Sequence, residues 1–304
     1  MRKKIFRSPS FADDYELILP FNLPHEHYVL DMFDTAPYRV KTGKKIDIFK
    51  LDPDGESNAG IKKGDSKSET KKLTSKLDGL QEMLFAEHKH KLLIILQAMD
   101  TGGKDGVIRR IFEGVNPSGV RVAHFKQPSQ EEMEHGFLWR AYIQIPQDGE
   151  IVIFNRSHYE AVLVERVHNI VSKSIWERRY KEIIEFERIL SEENVTILKF
   201  FLHIDSAEQK SRIEERLSDP TKEWKFSNDD LLERKYWDEY MKAYEAVLSN
   251  TSTDHAPWYA VPSNHRWLRD LIVSTVLVET LENFNMKYPK LQENVRPTEI
   301  PHVK

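Results

Sequence analysis

Five short apolar runs, separated by longer stretches with helical periodicity, limit what this chain can fold into more than any other feature. The runs are Leu92–Leu96, Val120–Phe125, Ile151–Phe154, Val195–Ile204 and Trp258–Val261. Near-continuous apolar runs of this kind read as strands buried on both faces, the pattern of a parallel sheet. The stretches between them read as helices: one from about His158 to Leu190, one from Ser206, one from about Asp229 to Leu248, and one from Ser263. Ser206 and Gln209 have the spacing of a capping box. Strand–helix alternation predicts βαβ units stacked as a three-layer α/β sandwich. No Pro-rich or Gly/Ser-rich linker divides residues 89–304, which therefore read as one core. Residues 1–88 read as an N-terminal arm packed on it. Within that arm, Asp52 to Lys72 has loop composition, and Leu73, Leu77, Leu80, Met83 and Leu84 mark one face of an amphipathic helix.

Composition narrows the function. The charged residues nearly cancel, to a formal net charge of −4 over 304 residues. This is not the balance of a general nucleic-acid binder, so any polyanion site has to be a local basic patch. The chain has no cysteine, which excludes disulfides, thiol catalysis and thiolate-bound zinc. The N-terminal MRKKIFRSPSF lacks the apolar run of a signal peptide. Runs such as LLIIL are too short to span a membrane. These features predict a soluble cytoplasmic protein.

The chemistry centres on QAMDTGGKDG, Gln97–Gly106. It lies between an expected strand and an expected helix, the context in which a glycine-rich turn becomes a phosphate site. It departs from G-x-x-x-x-G-K-[ST] at both ends, with Ala98 for the leading Gly and Asp105 for the closing Ser/Thr. Gly102 and Gly103 let the backbone approach an anion, the helix N-terminus directs amides at it, and Lys104 adds a full charge. Asp105 would add negative charge close to phosphate. Asp100, a hard oxygen ligand inside the loop, is the better magnesium candidate.

Two further stretches converge on this loop. IVIFNRSHYE, Ile151–Glu160, is a strand whose polar end emerges at the carboxyl edge of the sheet, where open α/β sheets bind ligands. Asn155, Arg156, His158 and Glu160 are expected to face the same cleft as Lys104, with Arg156 suited to bidentate phosphate contact. DPTKEWKFS, Asp219–Ser227, with Lys222, Lys225 and Arg216 just upstream, suits a lid that closes on an anionic substrate.

Taken in order, QAMDTGGKDG, GVNPSGVRVAHFKQP, FLWR, FNRSHYE, DPTKEWKFS and APWYAVP resemble the polyphosphate kinase 2 family over roughly Leu73 to Phe284. The resemblance implies a three-layer α/β/α P-loop kinase fold similar to thymidylate kinase, with a five-stranded parallel sheet and a helical lid, here at about residues 206–235. It implies magnesium-dependent transfer of the terminal phosphoryl group of inorganic polyphosphate to AMP or ADP. The FNRSHYE form is similar to the subgroup that uses both acceptors. Carried over by position, Asp100, Lys104, Arg156 and Arg216 are the expected catalytic residues. Asp100 and Glu160 are the expected metal ligands, with Asn155 standing where the family has an Asp. Thr101, Gly102, Gly103, Asp105, Lys126, Asn155, His158 and Glu160 are expected at the phosphates or nucleotide. Arg109, Arg110, Arg178, Arg179, Lys222 and Lys225 are expected along the polyphosphate channel and lid. The resemblance also implies a homo-oligomer, dimer or tetramer. An ATP-dependent nucleoside monophosphate kinase and a non-catalytic polyanion- or nucleotide-binding protein remain as alternatives.

Overall fold

The computed structural model describes residues 33–290, apart from 222, 226 and 227. Residues 1–32 of the expected arm and Lys222 of the expected lid therefore lie outside the described residues, as does the side chain of Lys225. The strands are β1 (Lys91–Gln97), β2 (Val120–His124), β3 (Ile151–Asn155), β4 (Val195–His203) and β5 (Trp258–Pro262). The helices in chain order are α1 (Lys63–Glu87), α2 (Lys104–Ile111), α3 (Gln130–Glu134), α4 (Trp139–Tyr142), α5 (Val164–Val167), α6 (Lys173–Glu192), α7 (Ser206–Ser218), α8 (Asn228–Glu233), α9 (Trp237–Thr251) and α10 (Arg266–Glu282).

All five apolar runs become strands of one parallel sheet, ordered β2-β3-β1-β4-β5. Because strand side chains alternate, β1 feeds two cores. Leu92, Ile94 and Leu96 pack with α1, α2 and α10 through Leu77, Leu84, Val107, Ile111 and Leu271. Leu93 and Ile95 pack with α6 and α9 through Ile183, Leu190, Tyr244 and Val247. The result is the three-layer sandwich that the alternation predicted.

The helix boundaries differ from expectation in ways that have physical causes. α1 begins at Lys63, ten residues before the apolar face starts, so the second half of the expected 52–72 loop is helical. The stretch from His158 to Leu190 is not one helix. A 3-10 turn (His158–Val162), α5 and α6 divide it, with Asn169 in the left-handed region at φ 52°, a conformation Asn tolerates better than most residues. The cap of α7 is Asp205, whose carboxylate accepts from the Glu208 amide at 2.7 Å. Ser206 and Gln209 do not form the expected box, and Gln209 points elsewhere. The expected 229–248 helix is divided into α8, a 3-10 turn and α9.

A buried ion pair pins the layer beneath the polar end of β3. Lys199 of β4 and Glu187 of α6 are fully buried, and Lys199 Nζ donates to Glu187 Oε2 at 2.6 Å. The ammonium also donates to the Tyr159 hydroxyl at 2.9 Å and the Thr251 carbonyl at 2.8 Å. Tyr159 OH donates to Glu187 Oε1 at 2.9 Å. Burial raises the carboxyl pKa, but Lys199 and His158 outweigh it and hold Glu187 below its ordinary value, ionised. A charge this deep is tolerable only while its partner is present. Lys199→Met should therefore lower the unfolding free energy by about 3–5 kcal/mol, with the Lys199→Met/Glu187→Met double variant recovering much of that. Chemical denaturation checks both, and a double variant no better than the single would contradict a mutually dependent pair.

Candidate active site

Pairing of β1 with β3, in register from Leu92↔Ile151 to Leu96↔Asn155, brings the two polar segments together at the carboxyl edge of the sheet. Residues 98–103 leave β1 where residues 156–160 leave β3. The Arg156 amide donates to the Leu96 carbonyl at 3.1 Å. The buried Gln97 side chain donates from Nε2 to Ser157 Oγ at 3.0 Å, and the same Oγ accepts from the Tyr159 backbone amide. The two turns are thus cross-braced before any ligand is considered.

The loop is tightly built. Gly103, at φ 104°, caps α2, and a Cβ there would lie 2.1 Å from Arg269 Nη1. A Cβ on Gly102 would lie 2.5 Å from the Ala98 methyl. Ala98 occupies the position where the usual pattern has glycine, and its methyl fills the space Gly102 leaves. Thr101 holds φ 64° and Arg156 φ 61°. For a β-branched residue this is a strained conformation. Lys104 is buried and donates to the Ala98 carbonyl at 2.8 Å. Burial, then Arg156, pushes its ammonium down to about 8. As the first residue of α2, it brings an amide without an intrahelical partner into the loop.

The charges facing the loop are balanced around one guanidinium. Arg156 Nη2 donates to Asp100 Oδ1 at 2.6 Å, and its Nη1 lies 3.9 Å from Glu160 Oε2. Burial works against the Arg156 charge, but Glu160 and Asp100 outweigh it and raise the pKa. Burial pushes the Glu160 carboxyl up, while Arg156 and Lys104 pull it back. Asn155 Nδ2 donates to Asp105 Oδ1 at 2.8 Å. The carboxylate missing from the end of β3 therefore sits across the gap, at the position where the usual loop has a hydroxyl. Asp105, read from sequence as a source of repulsion, is held by this donor.

The structure brings Asp100, Thr101, Gly102, Gly103, Lys104, Asp105, Asn155, Arg156 and Glu160 together. It does not bring His158 into the cleft. That side chain is fully enclosed, 3.4 Å from Glu187 Oε1 and edge-on to Phe186, and burial lowers its pKa. His158 directly follows Ser157, whose hydroxyl braces the turn, and the chain there turns inward. Arg110 is also withdrawn from the cleft, with its Nε on Asp270 at 2.5 Å. Arg179 donates to the Ala161 carbonyl and to Glu165 at 2.6 Å, and Arg178 pairs with Glu182 along α6. Arg110 and Arg179 are thus engaged by the fold, whereas Arg178 is exposed and its pair with Glu182 is a surface one. Arg109 is exposed on α2, and Arg216 is half-buried on α7. Lys126 is exposed beyond β2, at a cavity of about 380 Å³ shared with His124, Gln127, Ser129, Glu132 and Arg140.

Sequence reading missed the residues that hold the loop from behind. Arg212 Nη1 donates to the Thr101 carbonyl at 3.1 Å, and its Nη2 donates to the carbonyls of Ser263 and Asn264. Gln209 Nε2 donates to the Asp100 carbonyl at 3.1 Å. Arg269, beneath Gly103, is held by Asp270 at 2.7 Å. On a charged helix such residues look like solvated positions, and only the i, i+3 spacing of 209 and 212 hints at a shared face.

Residues 60–289 match the family described as polyphosphate kinase 2. The AMP/ADP-polyphosphate phosphotransferase of Meiothermus ruber is 51% identical over 253 residues, 83% of this chain and 95% of that protein. The ADP-polyphosphate phosphotransferase of Rhodopseudomonas palustris is 43% identical over 272 residues, 84% of this chain and 92% of that protein. Among solved structures, the polyphosphate kinase 2 of Arthrobacter aurescens TC1 superposes with a TM-score of 0.82 at 40% identity, covering 86% of this chain and 93% of that one.

The depressed ammonium gives a signed expectation. Without ligand, Lys104 loses its proton as pH rises through about 8. A polyanion stabilises the charged form, so binding above that pH should take up protons. Calorimetric titration with inorganic tripolyphosphate, in buffers of different ionisation enthalpy, should show uptake between pH 8 and 10. The uptake should vanish in Lys104→Met. Equal proton linkage in both proteins would contradict the assignment of Lys104 to the anion.

Proposed function

The chain belongs to the polyphosphate kinase 2 family, and from that premise we propose that it moves the terminal phosphoryl group of inorganic polyphosphate to AMP and ADP. The observation that carries the reading is the meeting of Lys104, Arg156, Asp100 and Glu160 at the edge where β1 and β3 end. Phosphoryl transfer needs little covalent work from protein. It needs two anions brought into line and the charge on the transferring group neutralised. An acceptor phosphate oxygen is already ionised, so no general base is required.

Each residue then has a role its position supports. Lys104 exchanges the Ala98 carbonyl for a phosphate oxygen. Arg156 faces the transferring group while its pairs with Asp100 and Glu160 hold the guanidinium in place. Arg216, on α7, closes toward the reactants and excludes water. Asp100 and Glu160 are the residues that would hold magnesium. Their carboxylates are each about one-fifth exposed, on the two arms of the same guanidinium. Hard oxygens in this number fit an ion that takes one or two carboxylates and completes its shell with water and substrate phosphates. When bound, magnesium supplies neutralisation of the phosphate oxygens. Asp105, paired with Asn155, is a further oxygen donor at the loop.

The FNRSHYE form reaches the site through Asn155, Arg156 and Glu160, since His158 is enclosed. The use of two acceptors is supported by that form and by the similarity to the Meiothermus ruber enzyme.

Purified protein with AMP, long-chain polyphosphate and magnesium, but no ATP, should produce ADP and then ATP by chromatography. ADP alone would contradict use of both acceptors, and transfer only when ATP replaces polyphosphate would overturn the donor. In the same assay Lys104→Ala should lose roughly 10²–10³ in turnover, the usual scale for one charge-stabilising group. Near wild-type turnover would remove Lys104 from the mechanism.

A further inference from the structure

Gln209 stands out among buried polar side chains because both ends of its amide are engaged. It is 1% exposed on α7. Its Nε2 donates to the Asp100 carbonyl at 3.1 Å, and its Oε1 accepts from Arg234 Nη1 at 2.8 Å. Chemistry fixes this orientation. A guanidinium only donates, so the amide oxygen must face Arg234; a carbonyl only accepts, so the amide nitrogen must face Asp100. Arg234 lies in the 3-10 turn between α8 and α9, on the far side of α7 from the phosphate loop in chain order. One amide thus ties that turn to the peptide of the residue whose carboxylate holds Arg156 at 2.6 Å.

We propose that Gln209 is a positioning residue for the transfer, oriented by Arg234, which fixes the Asp100 peptide and so sets Asp100 against Arg156. The inference rests on the phosphoryl-transfer reading above. No other side chain of this size performs both tasks. Glutamate keeps the acceptor for Arg234 but cannot donate to the carbonyl when ionised. Methionine fills the space and does neither. Arg212, one turn further along α7, holds the next carbonyl, that of Thr101, at 3.1 Å. The loop backbone is thus held at two successive peptides, and Gln209 is the hold that reaches the Arg234 turn.

The test is a double-mutant cycle on polyphosphate-to-AMP transfer. Gln209→Met and Arg234→Met should each lower kcat about tenfold, the rate equivalent of one buried hydrogen bond. KM for both substrates should change by less than about twofold, because the Asp100–Arg156 geometry acts on the transition state. The Gln209→Met/Arg234→Met double variant should be no worse than Gln209→Met alone. Arg234→Lys, which keeps a donor, should recover most of the rate, and Tm should not track the losses. Multiplicative losses, or a rise in polyphosphate KM for Arg234→Met in either background, would overturn the inference and make Arg234 a direct substrate contact. Losses that follow Tm would also overturn it, by reducing Gln209 to a packing residue. If Gln209→Met does not fold, Gln209→Glu with Arg234→Met and Arg234→Lys completes the same cycle. Wild-type protein unable to use polyphosphate would instead defeat the functional reading itself.

Discussion

The site depends on the parallel pairing of β1 with β3. A parallel sheet sends all its strands out at one edge, and the register Leu96↔Asn155 sets the phosphate loop directly beside the turn that carries Arg156 and Glu160. Shifting that register by one residue would exchange the two sets of β1 side chains between the two cores and displace Lys104 from Arg156. The hydrophobic layering and the site geometry are therefore fixed by the same hydrogen-bonded ladder. The buried Lys199–Glu187 pair reinforces it from below, because it anchors Tyr159, the residue before Glu160.

Around that edge, opposing charges are kept close without cancelling the site. Arg156 is shared by Asp100 and Glu160, Lys104 rests on a loop carbonyl, and Asp105 rests on Asn155. Each cation is held by acceptors that a phosphate can replace. The loop's departures from the usual pattern become intelligible in these terms. Ala98 fits because Gly102 has no Cβ to meet it. Asp105 fits because the strand residue opposite is a donor amide rather than a second carboxylate.

Much of this was legible in sequence. The five strands announced themselves because both faces of the sheet are covered and their runs are almost wholly apolar. The loop and FNRSHYE were legible because glycine, lysine and arginine at strand ends have few other uses. What failed was whatever depended on side-chain direction. His158 lies two residues from Arg156, yet the turn after Ser157 sends it inward to Glu187. Arg110 and Arg179 looked like free cations until Asp270 and Glu165 claimed them. Gln209 and Arg212 look like ordinary polar positions on a charged helix, and only tertiary placement shows that they hold backbone carbonyls. The extra turns of α1 were missed because Lys63–Lys72 carries no apolar face to announce a helix.

The central claim is that the loop of Asp100–Lys104, with Arg156, is where phosphoryl transfer occurs. A crystal structure with AMP and a non-hydrolysable polyphosphate analogue tests it most directly. The account predicts that Lys104 Nζ leaves the Ala98 carbonyl, now 2.8 Å away, and that it and Arg156 contact the same phosphate chain. A bound chain that leaves Lys104 on Ala98 and touches neither residue would contradict it.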